Sequence, residues 1–206
     1  MKRVLVVASL TLLGVDAHAL LSYTFDSNNV GWRRADFNST TFQLTDVGPA
    51  TWVAGGYLEE GDFAAWARYA SPVLSGSQLD ATEFSFDYAA DATDNVAYPL
   101  AVIAGTSSAI FQAQIPISGG QFHHYAYDLT TAGTWMYADI LGTRAATVAD
   151  IQAVLANVTR IGVDADTLSG SDHTKLDNVR LSAVPEPASI LALSGGLALL
   201  LRRRRR

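Results

Sequence analysis

The chain has no cysteine, only two methionines, four histidines and six prolines in 206 residues. Without cysteine it has no disulfide framework, no thiol nucleophile and no thiolate metal site. If it is exported, its core or a bound metal must hold it together. Histidine offers little in compensation. His123 and His124 are adjacent in a predicted strand, so their side chains point to opposite faces and do not converge. His173 stands alone in a predicted loop, and His18 lies in the N-terminal leader. There is no G-x-S-x-G elbow, and the paired glycines read as turns rather than as a phosphate cradle. No catalytic residue is assigned, and the chain is read as non-enzymatic.

Basic residues are scarce between the termini. Two of the 14 fall in the first 19 residues and five close the chain. The 164 residues from Leu20 to Ala183 therefore hold 7 basic and 18 acidic side chains, a net charge of −11. Such a surface disfavours nucleic acid and anionic membranes, and it suits cations or neutral polymers. The length is enough for one well-buried core, so a single domain is expected over 20–183.

The two ends read as targeting signals. Lys2 and Arg3 precede an apolar run from Val4 to Val15, and Ala17-His18-Ala19 forms an A-x-A cleavage site. This makes 1–19 a signal peptide, expected to be helical, with Ala17 and Ala19 at its cleavage point. At the other end Val184-Pro185-Glu186-Pro187-Ala188-Ser189 is followed by an apolar run from Ile190 to Leu201 and by Arg202 to Arg206. As a helix the apolar part from Ala188 to Leu201 reaches about 21 Å, short of the roughly 30 Å hydrocarbon core. The arginine block stays cytoplasmic, so the segment reads as a transient membrane anchor. The order of these three parts over 184–206 resembles the PEP-CTERM sorting signal, with Pro185, Glu186 and Pro187 as its motif. The resemblance covers about a tenth of the chain. It implies export, an exosortase-type sorting enzyme as partner, and residence in the cell envelope or extracellular matrix.

The middle reads as all-β. Thr82 to Tyr88 alternates strictly, with Phe84, Phe86 and Tyr88 on one face. Further strands are expected at Leu21–Phe25, Thr41–Thr45, Phe63–Tyr69, Leu100–Ala104, Ile110–Ile115, Phe122–Leu129, Arg160–Val163 and Leu176–Leu181, separated by glycine-rich turns. One helix is expected over Val148–Ala156, capped by Thr147 and Asp150, with Ile151, Val154, Leu155 and Val158 at helical spacing. Many short strands with one short helix suggest a jelly-roll β-sandwich.

Trp52, Gly55-Gly56-Tyr57-Leu58, Asp62 and Ala70-Ser71-Pro72 are similar to the start of the laminin B (domain IV) module. Ile151 to Thr159 and Leu176-Asp177-Asn178-Val179 resemble its ending. The resemblance implies a jelly roll of the galactose-binding-like kind, a fold that also houses carbohydrate-binding modules. It further implies a structural calcium where the first and last strands meet, for which Asp26 and Asp177 are the candidate ligands. Other acidic groups, Asp164 with Asp166 and Glu59, Glu60 with Asp62, read as solvated surface charge. For a glycan ligand the candidate stacking residues are Trp32, Trp52 and Tyr57, with Trp32 and Trp52 expected to be exposed; Trp66 reads as core. The resulting expectation is an exported module that binds or organises extracellular polysaccharide. The alternatives are a structural surface protein without a ligand and, less favoured, a glycan hydrolase or lyase.

Overall fold

The computed structural model describes residues 18–38, 41, 43–61, 67–168 and 170–183. Ala19–Ala183 forms one compact unit. The motif residues Pro185, Glu186 and Pro187, together with Ala17, lie outside the described residues, while Ala19 falls in the first strand.

Fourteen strands and one helix follow one another along the described chain. They are β1 (His18–Tyr23), β2 (Arg33–Asn38), β3 (Gln43–Pro49), β4 (Trp52–Val53), β5 (Tyr57–Gly61), β6 (Ala67–Ala70), β7 (Glu83–Ala90), β8 (Tyr98–Ala104), β9 (Ala109–Gln114), β10 (His123–Asp128), β11 (Met136–Asp139), β12 (Gly142–Ala145), α1 (Val148–Leu155), β13 (Arg160–Asp164) and β14 (His173–Ala183). They build two sheets. The first runs β10-β7-β14-β5-β4, with β1 also paired to β14; the second runs β12-β11-β9-β8-β13-β6-β2-β3. Apart from β1 with β14, the strands named as neighbours in these two sheets pair antiparallel, and an isolated parallel bridge joins Ala90 to Ser118. Sequence neighbours are often separated in space, and the last strand sits in the middle of the first sheet. The mostly-β, two-sheet expectation is met.

Alternation explains the core. Phe84, Phe86 and Tyr88 of β7 are fully buried, facing inward beside Leu58, Leu176 and Leu181 of the neighbouring strands. Ile103, Ile110, Ile161 and Val163 come from the second sheet to the same cluster. Tyr69 of β6 crosses the interior, and its hydroxyl donates to the Thr174 carbonyl of β14 at 2.7 Å. A separate apolar cluster, including Phe37, Leu44, Ala70 and Val102, lies on the other face of the second sheet. There Gly162 lets β3 close over β13, because a Cβ on it would stand 3.0 Å from a Leu44 methyl.

The helix forms where expected. The Thr147 side chain accepts from the Asp150 N–H and Asp150 returns the bond to the Thr147 N–H, so the capping box works with aspartate in place of glutamate. Ile151, Val154 and Leu155 face the core.

Several strand expectations need correction. β2, β4, β5 and the β11–β12 hairpin are not among the expected strands, because their patterns are short or interrupted by charges and small residues, and Glu59 and Glu60 lie in β5 rather than in a loop. The strand expected at Phe63–Tyr69 is described only from Ala67. Asp164 and Asp166 are not solvated: they are 1% and 3% exposed. Asp164 ends β13 directly opposite Arg68 of β6, and the Arg68 Nη1 donates to its Oδ1 at 2.5 Å. Arg68 is itself fully buried, so this is a sequestered ion pair rather than surface charge. Glu60 is also buried: Oε1 accepts the Thr51 N–H at 2.8 Å, and Arg34 lies at 3.4 Å from Oε2.

Candidate functional site

The outward face of the first sheet collects polar side chains by the same alternation that buries the aromatics. In β5, Leu58 and Glu60 are buried while Tyr57 and Glu59 are half-buried. In β14, Thr174 and Leu176 are buried, whereas His173, Lys175 and Asp177 emerge. Register then sets them side by side. Lys175 lies between Glu59 of β5 and Ala89 of β7, Asp177 faces Asp87, and His124 of β10 faces Asp87 from the other side.

Glu59, Ala89, Asp91, Gly120, His173 and Lys175 line an open cleft of about 280 Å³ on this face. That is near the lower end of small-ligand pockets, roughly 300–1,000 Å³. Ala89 supplies a small floor. Gly120 holds a left-handed backbone (φ +73°) and donates its N–H to the Ala90 carbonyl at 2.9 Å. A side chain there would be strained and would stand against Asp91. Asp91 Oδ1 accepts the His173 N–H at 2.7 Å. The Lys175 ammonium stands 3.9 Å from Glu59 Oε1 and 5.4 Å from the Tyr57 ring centroid.

Beside the cleft, Tyr57 and Phe122 form an edge-to-face pair with centroids 5.7 Å apart. β7 and β14 separate their backbones, roughly 14 Å of sheet at the usual strand spacing. The two rings therefore lean toward each other above the sheet and make an apolar wall. Phe122 remains 43% exposed. An aromatic wall next to a lysine, two carboxylates and a histidine can stack on the apolar face of a sugar ring and exchange hydrogen bonds with its hydroxyls.

The predicted aromatic residues do not converge. Trp32 is fully buried, packed edge-on against Tyr23 and Phe25 at 5.4 and 5.6 Å, which corrects the expectation that it is exposed. Its flanks, Asn28-Asn29-Val30-Gly31 and Arg33-Arg34, belong to a turn and the strand entered from it, so they say little about where the indole points. Trp52 is 36% exposed, and its Nε1 donates to the Phe25 carbonyl at 2.6 Å. It pairs with inward-facing Leu58, so it sits at a sheet edge on the side opposite Tyr57. Tyr57 alone of the three reaches the cleft region.

Asp26, three residues beyond β1, lies near enough to Asp177 to act on its carboxyl, and β1 itself pairs with β14. Burial raises the Asp177 carboxyl above its ordinary range. The N–H groups of Asn178 and Phe25 oppose that rise, while Asp87 and Asp26 add repulsion. Asp87 accepts from the Asn178 amide at 2.8 Å and pairs with His124 at 2.7 Å. Asn178 sits in a bulge at φ +50° between the two aspartates. Among the described residues no group of three or more histidine or acidic side chains is arranged to hold a metal. A calcium ion at Asp26 and Asp177 would have to complete its six to eight oxygens from backbone carbonyls and water.

The sequence reading missed Asp91, Phe122, His173 and Lys175. The signal existed in His173-Thr174-Lys175-Leu176-Asp177, which alternates polar with inward-facing residues, but the strand was expected to start only at Leu176. Among the described residues no helix is long and apolar enough to cross a membrane.

Comparison with known proteins bears on the fold. No curated protein matches the chain. Among solved structures, the L4b domain of human laminin alpha-2 superposes with a TM-score of 0.58 at 13% identity, over 84% of this chain and 100% of that one. CtCBM11, known from a solution structure, gives a TM-score of 0.44 at 14% identity over 85% and 100%. The laminin B (domain IV) family model matches residues 76–193, more than half of the chain, although its match begins beyond the Trp52–Pro72 stretch. The chain belongs to the laminin B (domain IV) family.

Proposed function

We propose that this protein is an exported, non-enzymatic β-sandwich that binds or organises extracellular polysaccharide through the outward face of its first sheet. The observation that supports this is the cleft floored by Ala89, flanked by Glu59, Asp91, His173 and Lys175, with the Tyr57–Phe122 pair beside it. Membership of a family that includes laminin modules agrees with an extracellular setting. The test is retention of the protein in native gels containing soluble polysaccharides, with reducing-end release measured in parallel. At least one polysaccharide is expected to retard the protein without being cleaved, and Tyr57→Ala should weaken that retardation roughly two- to tenfold, the scale of one lost aromatic contact, about 0.5–1.5 kcal/mol. Release of sugar ends, or retardation that Tyr57→Ala leaves unchanged, would contradict the reading.

Routing to the envelope is assigned to the PEP-CTERM-like tail. Replacing Pro185, Glu186 and Pro187 with alanine is expected to leave export intact but to change envelope retention and mature mass. Fractionation with antibody to the sandwich checks this; unchanged distribution and mass would contradict it.

Calcium is proposed as a stabilising ion at Asp26 and Asp177. Burial raises the Asp177 carboxyl, and Asp87 and Asp26 add a smaller repulsion that a bound cation would relieve. Calcium at 100 times its Kd would add about 2.7 kcal/mol to stability. A melting temperature raised by calcium more than by magnesium, and lost in Asp177→Ala, is expected. Equal shifts from both ions would reduce the effect to charge screening.

A further inference from the structure

The charges of the cleft narrow the ligand class, an inference that rests on the polysaccharide reading above. Two carboxylates, Glu59 and Asp91, line the cleft against one ammonium, Lys175. That ammonium is already shared between Glu59 Oε1 at 3.9 Å and the Tyr57 ring at 5.4 Å. Two more carboxylates, Asp87 and Asp177, stand on the same face one row further along, with Asp87 bonded to His124 and Asn178. The surrounding domain carries 18 acidic and 7 basic residues. Among the described residues no guanidinium lines the cleft, so the paired-donor geometry that recognises a carboxylate is not supplied by its lining.

We infer that the cleft is selective for uncharged glycans and disfavours polymers of uronic acids. Hydroxyl groups suit the site because they donate to Glu59 and Asp91, which only accept, and also accept from Lys175. Asp91 Oδ1 is engaged by the His173 N–H at 2.7 Å, which leaves Oδ2 for a ligand. A uronate would instead bring its carboxylate into a cleft whose two carboxylates outnumber its one ammonium, already paired with Glu59, with Asp87 and Asp177 one row further along. This discrimination is electrostatic, so salt must weaken it. Stacking on Phe122 and Tyr57 carries no such dependence.

The test uses the full protein in affinity gels with two neutral probes, mixed-linkage β-glucan and galactomannan, and two acidic probes, alginate and polygalacturonate. At low ionic strength the better neutral probe is expected to be bound at least about tenfold more tightly than either acidic one. The gap should shrink on raising salt to about 0.5 M, where the Debye length falls to a few ångströms. The Glu59→Gln/Asp91→Asn double variant separates local from overall charge. It should bind the neutral probe more weakly and narrow the gap. Acidic probes bound as tightly as neutral ones would overturn this inference and leave the polysaccharide reading standing. A gap unchanged in the double variant would also overturn it, tracing selectivity to net charge alone. Retention by none of the four would overturn both.

Discussion

Replacing Phe86 with alanine is expected to cost about 3–5 kcal/mol, a large part of the 5–15 kcal/mol that holds a domain of this size. Phe86 is fully buried at the centre of an aromatic set drawn from two strands. Its ring stacks on Tyr125 at 5.6 Å and meets Phe84, Tyr127 and Tyr88 at 5.3, 6.0 and 6.4 Å. Those neighbours are themselves pinned: Tyr125 accepts the Ile117 N–H at its hydroxyl, and the Tyr127 hydroxyl donates to Gln114. They cannot collapse into the gap, so the cavity term adds to the lost transfer energy. Urea melts check this, and Phe122→Ala on the exposed side serves as a control with a small effect. A loss below about 1 kcal/mol for Phe86→Ala would mean that β7 does not face the core.

Removing the buried cation should be comparably severe. In Arg68→Met, Asp164 loses its partner while remaining sealed from water, which costs about 3–5 kcal/mol at pH 8. The cost depends on pH. Burial pushes the Asp164 carboxyl up to about 7, although Arg68 and the N–H groups of Asp166 and Ala165 pull the other way. A folded value above the ordinary one near 3.8 means that folding favours the protonated form. The stability this group contributes is therefore fully present below about pH 4 and is lost as pH rises through 7. The wild-type melting temperature should climb as pH falls from 8 to about 5. Below that it should drop, because Asp46, Asp128 and Asp150 are held low by bonds from Arg160, Thr130 and Arg144 respectively, and lose them on protonation. In Arg68→Met the penalty should shrink toward pH 5 as Asp164 takes a proton. The Arg68→Met/Asp164→Leu pair should recover most of the loss and flatten the rise between pH 8 and 5. Calorimetry across pH decides it; a penalty under about 1 kcal/mol at pH 8 would show the pair to be dispensable.

The fold was legible where burial alone dictates pattern. Phe84-Ser85-Phe86-Asp87-Tyr88 alternates because one face is core, and α1 announces itself through Thr147, Asp150 and the apolar spacing that follows. It was illegible where partners far along the chain decide. Asp164 and Arg68 are 96 residues apart, and nothing local shows that each neutralises the other in the interior. Trp32 looked exposed because its neighbours are polar, yet Tyr23 and Phe25 close around it. The meeting of the first and last strands, β1 with β14, is expected from the family resemblance rather than from spacing. The cleft lay hidden because three strands and two flanking turn residues, Asp91 and Gly120, supply it from distant segments, and adjacency in a sheet is a property of topology.

The most direct test of the proposed function is to titrate isotope-labelled protein with soluble mixed-linkage β-glucan and galactomannan oligosaccharides and to follow its backbone and aromatic resonances. The account predicts saturable shifts in the better case at Tyr57, Glu59, Ala89, Asp91, Gly120, Phe122, His173 and Lys175, with the outer face of the second sheet silent. Shifts confined to other surfaces, or none with either glycan at millimolar concentration, would contradict it.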